Sequence, residues 1–122
     1  MKILIDGNNV FRALGVSRRS DPPAEEGFLQ RIERAAAERD WEVIVFFDGP
    51  ERHLPRESGL LTVRYAQGKS ADSLIERAVA ENGRREPIIV VTQDRAEADL
   101  VRALGAWVWG PARLKEELTE GR

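Results

Sequence analysis

Four short stretches of this chain set an aspartate just behind an apolar run or at the head of a helical one: KILIDGNN, VIVFFDG, GKSADS and IIVVTQD. Asp6, Asp48 and Asp94 follow candidate strands, and Asp72 opens a candidate helix. In an open parallel sheet the carboxyl ends of the strands share one edge, so these acids are expected to converge there. Crowded carboxylates repel one another, and a hard divalent cation bound through oxygen is the simplest compensation. The chemistry to expect is Mg²⁺- or Mn²⁺-dependent work on phosphate esters.

Each acid also has a plain structural use. Aspartate before glycine forms turns, an acid in a first helical turn complements the helix dipole, and Asp94 can cap the helix after it. The coincidence of four on one edge favours function. Beside Asp6, Asn8 and Asn9 offer amides that could orient a carboxylate or hold a phosphate oxygen. Thr92 brings a hydroxyl to the same edge, and Glu76, one helical turn beyond Asp72, is a possible further ligand. Glu97 and Asp99 read as a solvated helix face. His53, the single histidine, reads as an exposed loop residue, and Trp41, Trp107 and Trp109 as core. No serine or lysine signature of covalent catalysis and no Walker or dinucleotide glycine motif is present.

The elements that must position these groups follow from periodicity. Lys2–Ile5 and Glu42–Phe47 are continuous apolar runs of the kind buried on both faces of a parallel sheet. Leu61–Tyr65, Ile88–Thr92 and Ala106–Trp109 supply three more strands. A short helix through Leu14 follows the DGNN turn. Helical spacing of Phe28, Leu29, Ile32, Ala35 and Ala36 predicts a helix from Ala24 to Arg39, with Ser20-Asp21-Pro22-Pro23 at its start. Ser70 is placed to cap a helix carrying Leu74, Ile75 and Val79. A helix after Asp94 is expected to end at Gly105, and Pro111 opens a last one. Residues 49–59 read as a polar loop.

Strands alternating with helices imply an α/β three-layer sandwich, with a central parallel sheet of about five strands in the order 3-2-1-4-5. The switch point then falls between the first and fourth strands, with Asp6 and Asp94 on its two walls. The whole chain, 122 residues, fits one domain.

A formal charge of −2 excludes a uniformly basic surface, and the absence of cysteine excludes disulfides and thiolate metal sites. No run approaches membrane-spanning length, so a cytoplasmic protein without a membrane partner is expected. Arg12, Arg18, Arg19 and Lys69 flank Asp6 and Asp72 in sequence and read either as phosphate contacts or as plain solvated surface. Arg52, Arg56 and Arg64 add charge between the second and third acids.

The succession ILIDGNNVF, VFFDG, GKSADSLIE, VVTQD and GAWVWGPARL resembles the NYN domains of the PIN-like nuclease superfamily, in particular the YacP-like branch, over essentially the whole chain. The resemblance implies a metal-dependent ribonuclease, in which a metal-activated water attacks an RNA phosphodiester in line. By position it implies Asp6, Asp72 and Asp94 as the acidic metal-binding set, Asn9 as the polar residue after the first aspartate, and Asp48 as the acid ending the second strand. It further implies a bacterial setting in RNA decay or translation, with the ribosome or translation machinery as partner. Two other readings stand beside it. A receiver-type signalling domain has similar length and an acidic Mg²⁺ site, but wants paired acids after the first strand and a lysine after the last, where this chain has Gly-Asn-Asn and Gly-Pro-Ala-Arg. A catalytically weak RNA-binding module would share the fold.

Overall fold

The computed structural model describes residues 1–16, 22–49, 57–58, 60–82 and 84–120. The strands are β1 (Lys2–Asp6), β2 (Glu42–Phe47), β3 (Glu57–Ser58), β4 (Leu61–Tyr65), β5 (Ile88–Val91) and β6 (Trp107–Trp109). The helices are α1 (Gly7–Ala13), α2 (Pro22–Arg39), α3 (Ala71–Asn82), α4 (Arg95–Ala103) and α5 (Pro111–Glu120). The sheet runs β3-β4-β2-β1-β5-β6. Its five longer strands are parallel and have the expected order, with β1 between β2 and β5.

Within the stretch expected to be loop, Glu57–Ser58 pairs antiparallel with β4 and adds a short sixth strand. Two residues are too few for periodicity to register, and the pairing is a tertiary event on an open edge. The second helix starts at Pro22, two residues before the expected Ala24, because proline is well suited to a first helical turn. Ser20 and Asp21, offered as its start, lie outside the described residues, as do Arg18, Arg19, Arg52, Arg56 and His53.

Alternation along the strands divides the core in two. Ile3 and Ile5 of β1 pack with Val43, Val45, Ile89 and Val91 beneath α1, α2 and α5, whereas Leu4 faces Ile75, Val79 and Val101 of α3 and α4. Phe11 anchors α1 on the first side, meeting Phe28 edge-on at 4.9 Å and Phe47 at 5.3 Å. Each such pair adds about 0.5–1.5 kcal/mol beyond burial. On the same side Trp109 packs on Trp41 at 5.9 Å, with Arg113 4.8 Å from its ring centre. Glu117 is paired with Arg39 and Arg113, and the Arg113 hydrogen bond leads in holding its carboxyl below the usual range. Trp107, expected in the core, is 69% exposed. It starts an edge strand opposite Ile89, towards the end of the sheet away from the acids.

Gly105, at φ 107°, ends α4 as expected, and the Ala106 amide reaches back to the Val101 carbonyl at 2.9 Å. Gly7 is dictated by space. A Cβ there would lie 2.6 Å from Phe47 and 2.8 Å from the Phe46 carbonyl, so only glycine lets α1 leave β1 without a spacer.

Candidate active site

The carboxyl edge is built outward from the Asp6-Gly7-Asn8-Asn9 turn. Asn8 Oδ1 accepts the Asp48 amide at 2.6 Å, fastening the end of β2. Asn9 Oδ1 accepts the Gln93 amide at 2.6 Å, fastening the segment after β5. The two asparagines thus clamp the strands on either side of β1. Asp48 Oδ1 in turn accepts the Ala71 amide at 2.7 Å, and Ser70 Oγ accepts the Ser73 amide at 3.3 Å, so both hold the first turn of α3. That turn carries Asp72, half-buried, whose Oδ1 accepts the neighbouring Ser73 amide at 2.9 Å.

Asp6 occupies the N-cap position of α1 in extended conformation yet makes no side-chain capping hydrogen bond. It is 8% exposed. Burial raises its pKa most, the neighbouring Glu97 carboxyl opposes this, and the charges of Asp48 and Asp72 raise it further. The nearby Asn9 amide is the weakest influence.

Glu97 overturns the expectation of a solvated helix face. Only 2% exposed, it has both carboxylate oxygens buried without a donor. Burial pushes its pKa up to about 8, with Asp6 and Asp72 adding to the rise. The Thr92 hydroxyl is near enough to oppose the shift, but it points to Asn9 Oδ1 at 3.5 Å and accepts the Asp94 amide at 3.1 Å. Two requirements could satisfy Glu97: a proton shared with Asp6 or a cation. The signal was present in the sequence. Glu97 lies four residues before Val101 and seven before Leu104, on the inward stripe of α4 beside Ala98.

Asp94 differs from Asp6. Its Oδ1 caps α4 by accepting the Glu97 amide at 3.2 Å, and its side chain lies on an exposed residue. Glu76 joins the same field: burial raises its pKa first, then the charges of Asp72 and Asp94. Electrostatic coupling therefore links the sites at which Asp6, Asp48, Asp72, Glu76, Asp94 and Glu97 stand.

Among the described residues, no three His, Asp or Glu groups are gathered closely enough to hold a metal ion as their side chains stand. The donor chemistry nevertheless fits a hard cation, being all carboxylate and including buried Glu97 with both oxygens unsatisfied. Of the expected phosphate contacts, Lys69 is exposed in the turn leading to α3, while Arg12 is exposed in the last turn of α1, where it also complements the helix dipole. A hollow of about 630 Å³ between α3 and β4, with Phe46, Arg64 and Leu74 among its walls, includes none of these acids.

The fold agrees with the comparisons to known proteins. Two crystal structures of Rae1 (YacP) from Bacillus subtilis, one of them a W164L mutant, superpose on the chain with TM-scores of 0.81 and 0.78 at 23% and 22% identity. Both alignments cover 98% of this chain and 74% of the other. No curated protein sequence matches. The family model of the YacP-like NYN domain matches residues 3–122, and the chain belongs to that family.

Proposed function

We propose that the protein is a metal-dependent ribonuclease that hydrolyses RNA phosphodiester bonds at this acidic edge. The observation that carries the reading is the Asp6–Glu97 pair: two carboxyls held inside the protein, raised in pKa, one of them with no donor on either oxygen. Burying such a pair is costly without a compensating charge, so a stable fold that retains it points to a bound cation. Membership of a PIN-like nuclease family supports phosphodiester cleavage as its use.

Asp6, Asp72 and Glu97 would hold Mg²⁺ or Mn²⁺, with Asp94 and Asp48 closing the edge on either side. The bound cation would lower the pKa of a water and neutralise charge developing on the phosphoryl oxygens. The chain's own contribution is to position the donors. Asn8 and Asn9 fix the neighbouring strand ends, and α3 and α4 present their acids from the opposite face of the sheet. Glu76 adds negative field at the rim, while Lys69 stands where an incoming phosphate can meet it. RNA is the expected substrate, single-stranded so that the phosphate can approach the acids, and RNA decay or translation-linked processing is the setting we assign.

The test is a cleavage assay on short single-stranded RNA with Mg²⁺ or Mn²⁺ titrated into chelator-treated protein, using Asp6→Asn as the contamination control. Cation-dependent cutting that disappears in the variant supports the reading. Binding without cutting by metal-loaded parent protein would instead favour an RNA-binding module of the same fold.

A further inference from the structure

Where the segments leaving β5 and β6 approach each other, one strand further from Asp6, a second hollow of about 320 Å³ opens beside the acids. Thr92 and Asp94 line it on the side of the acid edge, so it is continuous with the site. Arg95, Ala98 and Arg102 form its helical wall. Arginines seven residues apart lie two turns apart on one helix face, separated by about 10 Å of rise. Ala98 between them keeps the wall recessed. Gly110 faces them across the hollow with open space where a side chain would stand.

The charge of this wall is available. Arg95 makes no ion pair among the described residues, and Arg102 reaches only Asp99, at 3.5 Å between two exposed side chains. Such an exposed pair is weak and screened by salt. Asp94 shares the hollow, but its Oδ1 is engaged by the α4 amide of Glu97. Among the residues lining the hollow, two arginines stand against one acid. The volume falls at the lower end of the about 300–1,000 Å³ range of small-ligand sites, enough for a single nucleotide unit. Guanidinium forks match phosphate oxygens in pairs.

We propose that this hollow seats a backbone phosphate of the RNA adjacent to the phosphate being cut, held by Arg95 and Arg102. It rests on the ribonuclease reading for its substrate and fixes the line along which the strand crosses the acids. The scissile phosphate would lie over Asp6 and Glu97, and the next along the chain between α4 and the β6–α5 turn.

The experiment measures binding of a labelled short single-stranded RNA in chelator, which prevents cutting, from about 50 to about 300 mM salt. Both arginines are exposed, so an Arg95→Gln/Arg102→Gln double variant should fold, as its circular dichroism can verify. Loss of two phosphate contacts should flatten the log–log salt slope by about 1.4 and weaken binding about tenfold at the lowest salt. Arg34→Gln, removing an exposed charge on α2, should keep the parent slope. A double variant with the parent slope, or a parent that binds no RNA, overturns the proposal. Parallel cleavage with Mn²⁺ separates the two readings. A parent that cuts while the double variant keeps its slope removes only the phosphate pocket. A parent that binds with the expected arginine dependence but never cuts removes only the nuclease assignment.

Discussion

The junctions β1–α1 and β5–α4 are built alike and used differently. Each places an aspartate at the helix N-cap in extended conformation, Asp6 with φ −77° and ψ 92°, Asp94 with φ −76° and ψ 116°. Asp94 caps its helix and is exposed; Asp6 does neither, turning a buried carboxyl towards Glu97. Local backbone geometry cannot separate them. The difference is made by what α4 brings to the crevice, since Glu97 sits on that helix and meets Asp6 across the switch point.

If that contrast is functional, the largest effect belongs to Asp6. Asp6→Asn should lower RNA cleavage at least 100-fold, because even outer partners of metal ligands typically contribute about 10–100-fold. Asp94→Asn keeps a capping side chain and should lose less. Equal losses in the cleavage assay would erase the distinction between the junctions.

The next effect is one of pH. The raised folded-state pKa of Glu97, about 8 against 4.5, means the folded protein retains a proton the unfolded chain has lost. Metal-free stability should therefore fall as pH rises from about 4.5 to about 8, by a few kcal/mol. The raised pKa of Asp6 acts in the same direction. Denaturant unfolding of chelated protein at several pH values will measure this, and Glu97→Gln should flatten the profile. A parent profile already flat over that window would mean that the pair is neither desolvated nor coupled.

Cation binding should reverse part of this loss. A ligand present at 100 times its Kd, bound only to the folded state, contributes about 2.7 kcal/mol. The melting temperature should rise with Mn²⁺ in the parent and far less in Asp6→Asn. At constant ionic strength, a shift of equal size in both proteins would move the cation away from Asp6.

The smallest effect concerns caps alone. Asp94→Ala removes a cap and should cost about 1 kcal/mol, whereas Asp6→Ala removes none and, in metal-free protein at neutral pH, should leave stability unchanged or higher. Loss of about 1 kcal/mol in both, by chemical denaturation, would assign Asp6 a capping role after all.

The same contrast explains how far residue patterns could be followed. Strand order was readable because the buried runs at Lys2–Ile5, Glu42–Phe47 and Ile88–Thr92 leave few ways to cover both sheet faces. The edge holding Asp6, Asp48, Asp72 and Asp94 follows from that order. Glu97 reads as solvated by its charge, whereas its spacing from Val101 and Leu104 places it inward. The division of labour between Asn8 and Asn9 was beyond reach, since adjacent, chemically identical side chains take opposite partners only when β2 and β5 flank them. The hollow beside Arg95 and Arg102 is not legible in the sequence, because its far wall, Gly110 and Pro111, comes from the β6–α5 turn, remote from them along the chain.

The central place of β1 has a consequence for the order in which the molecule is made. This strand leaves the ribosome before the others, yet its partners are residues 42–46 on one side and 88–91 on the other. Closing the second pairing spans most of the chain, and long loops make such steps slow. Asp6 therefore spends early synthesis as an isolated, hydrated carboxylate. Its crowding with Glu97 arises only when β5 and α4 dock, so the repulsion that marks the finished site appears together with the elements that complete the core.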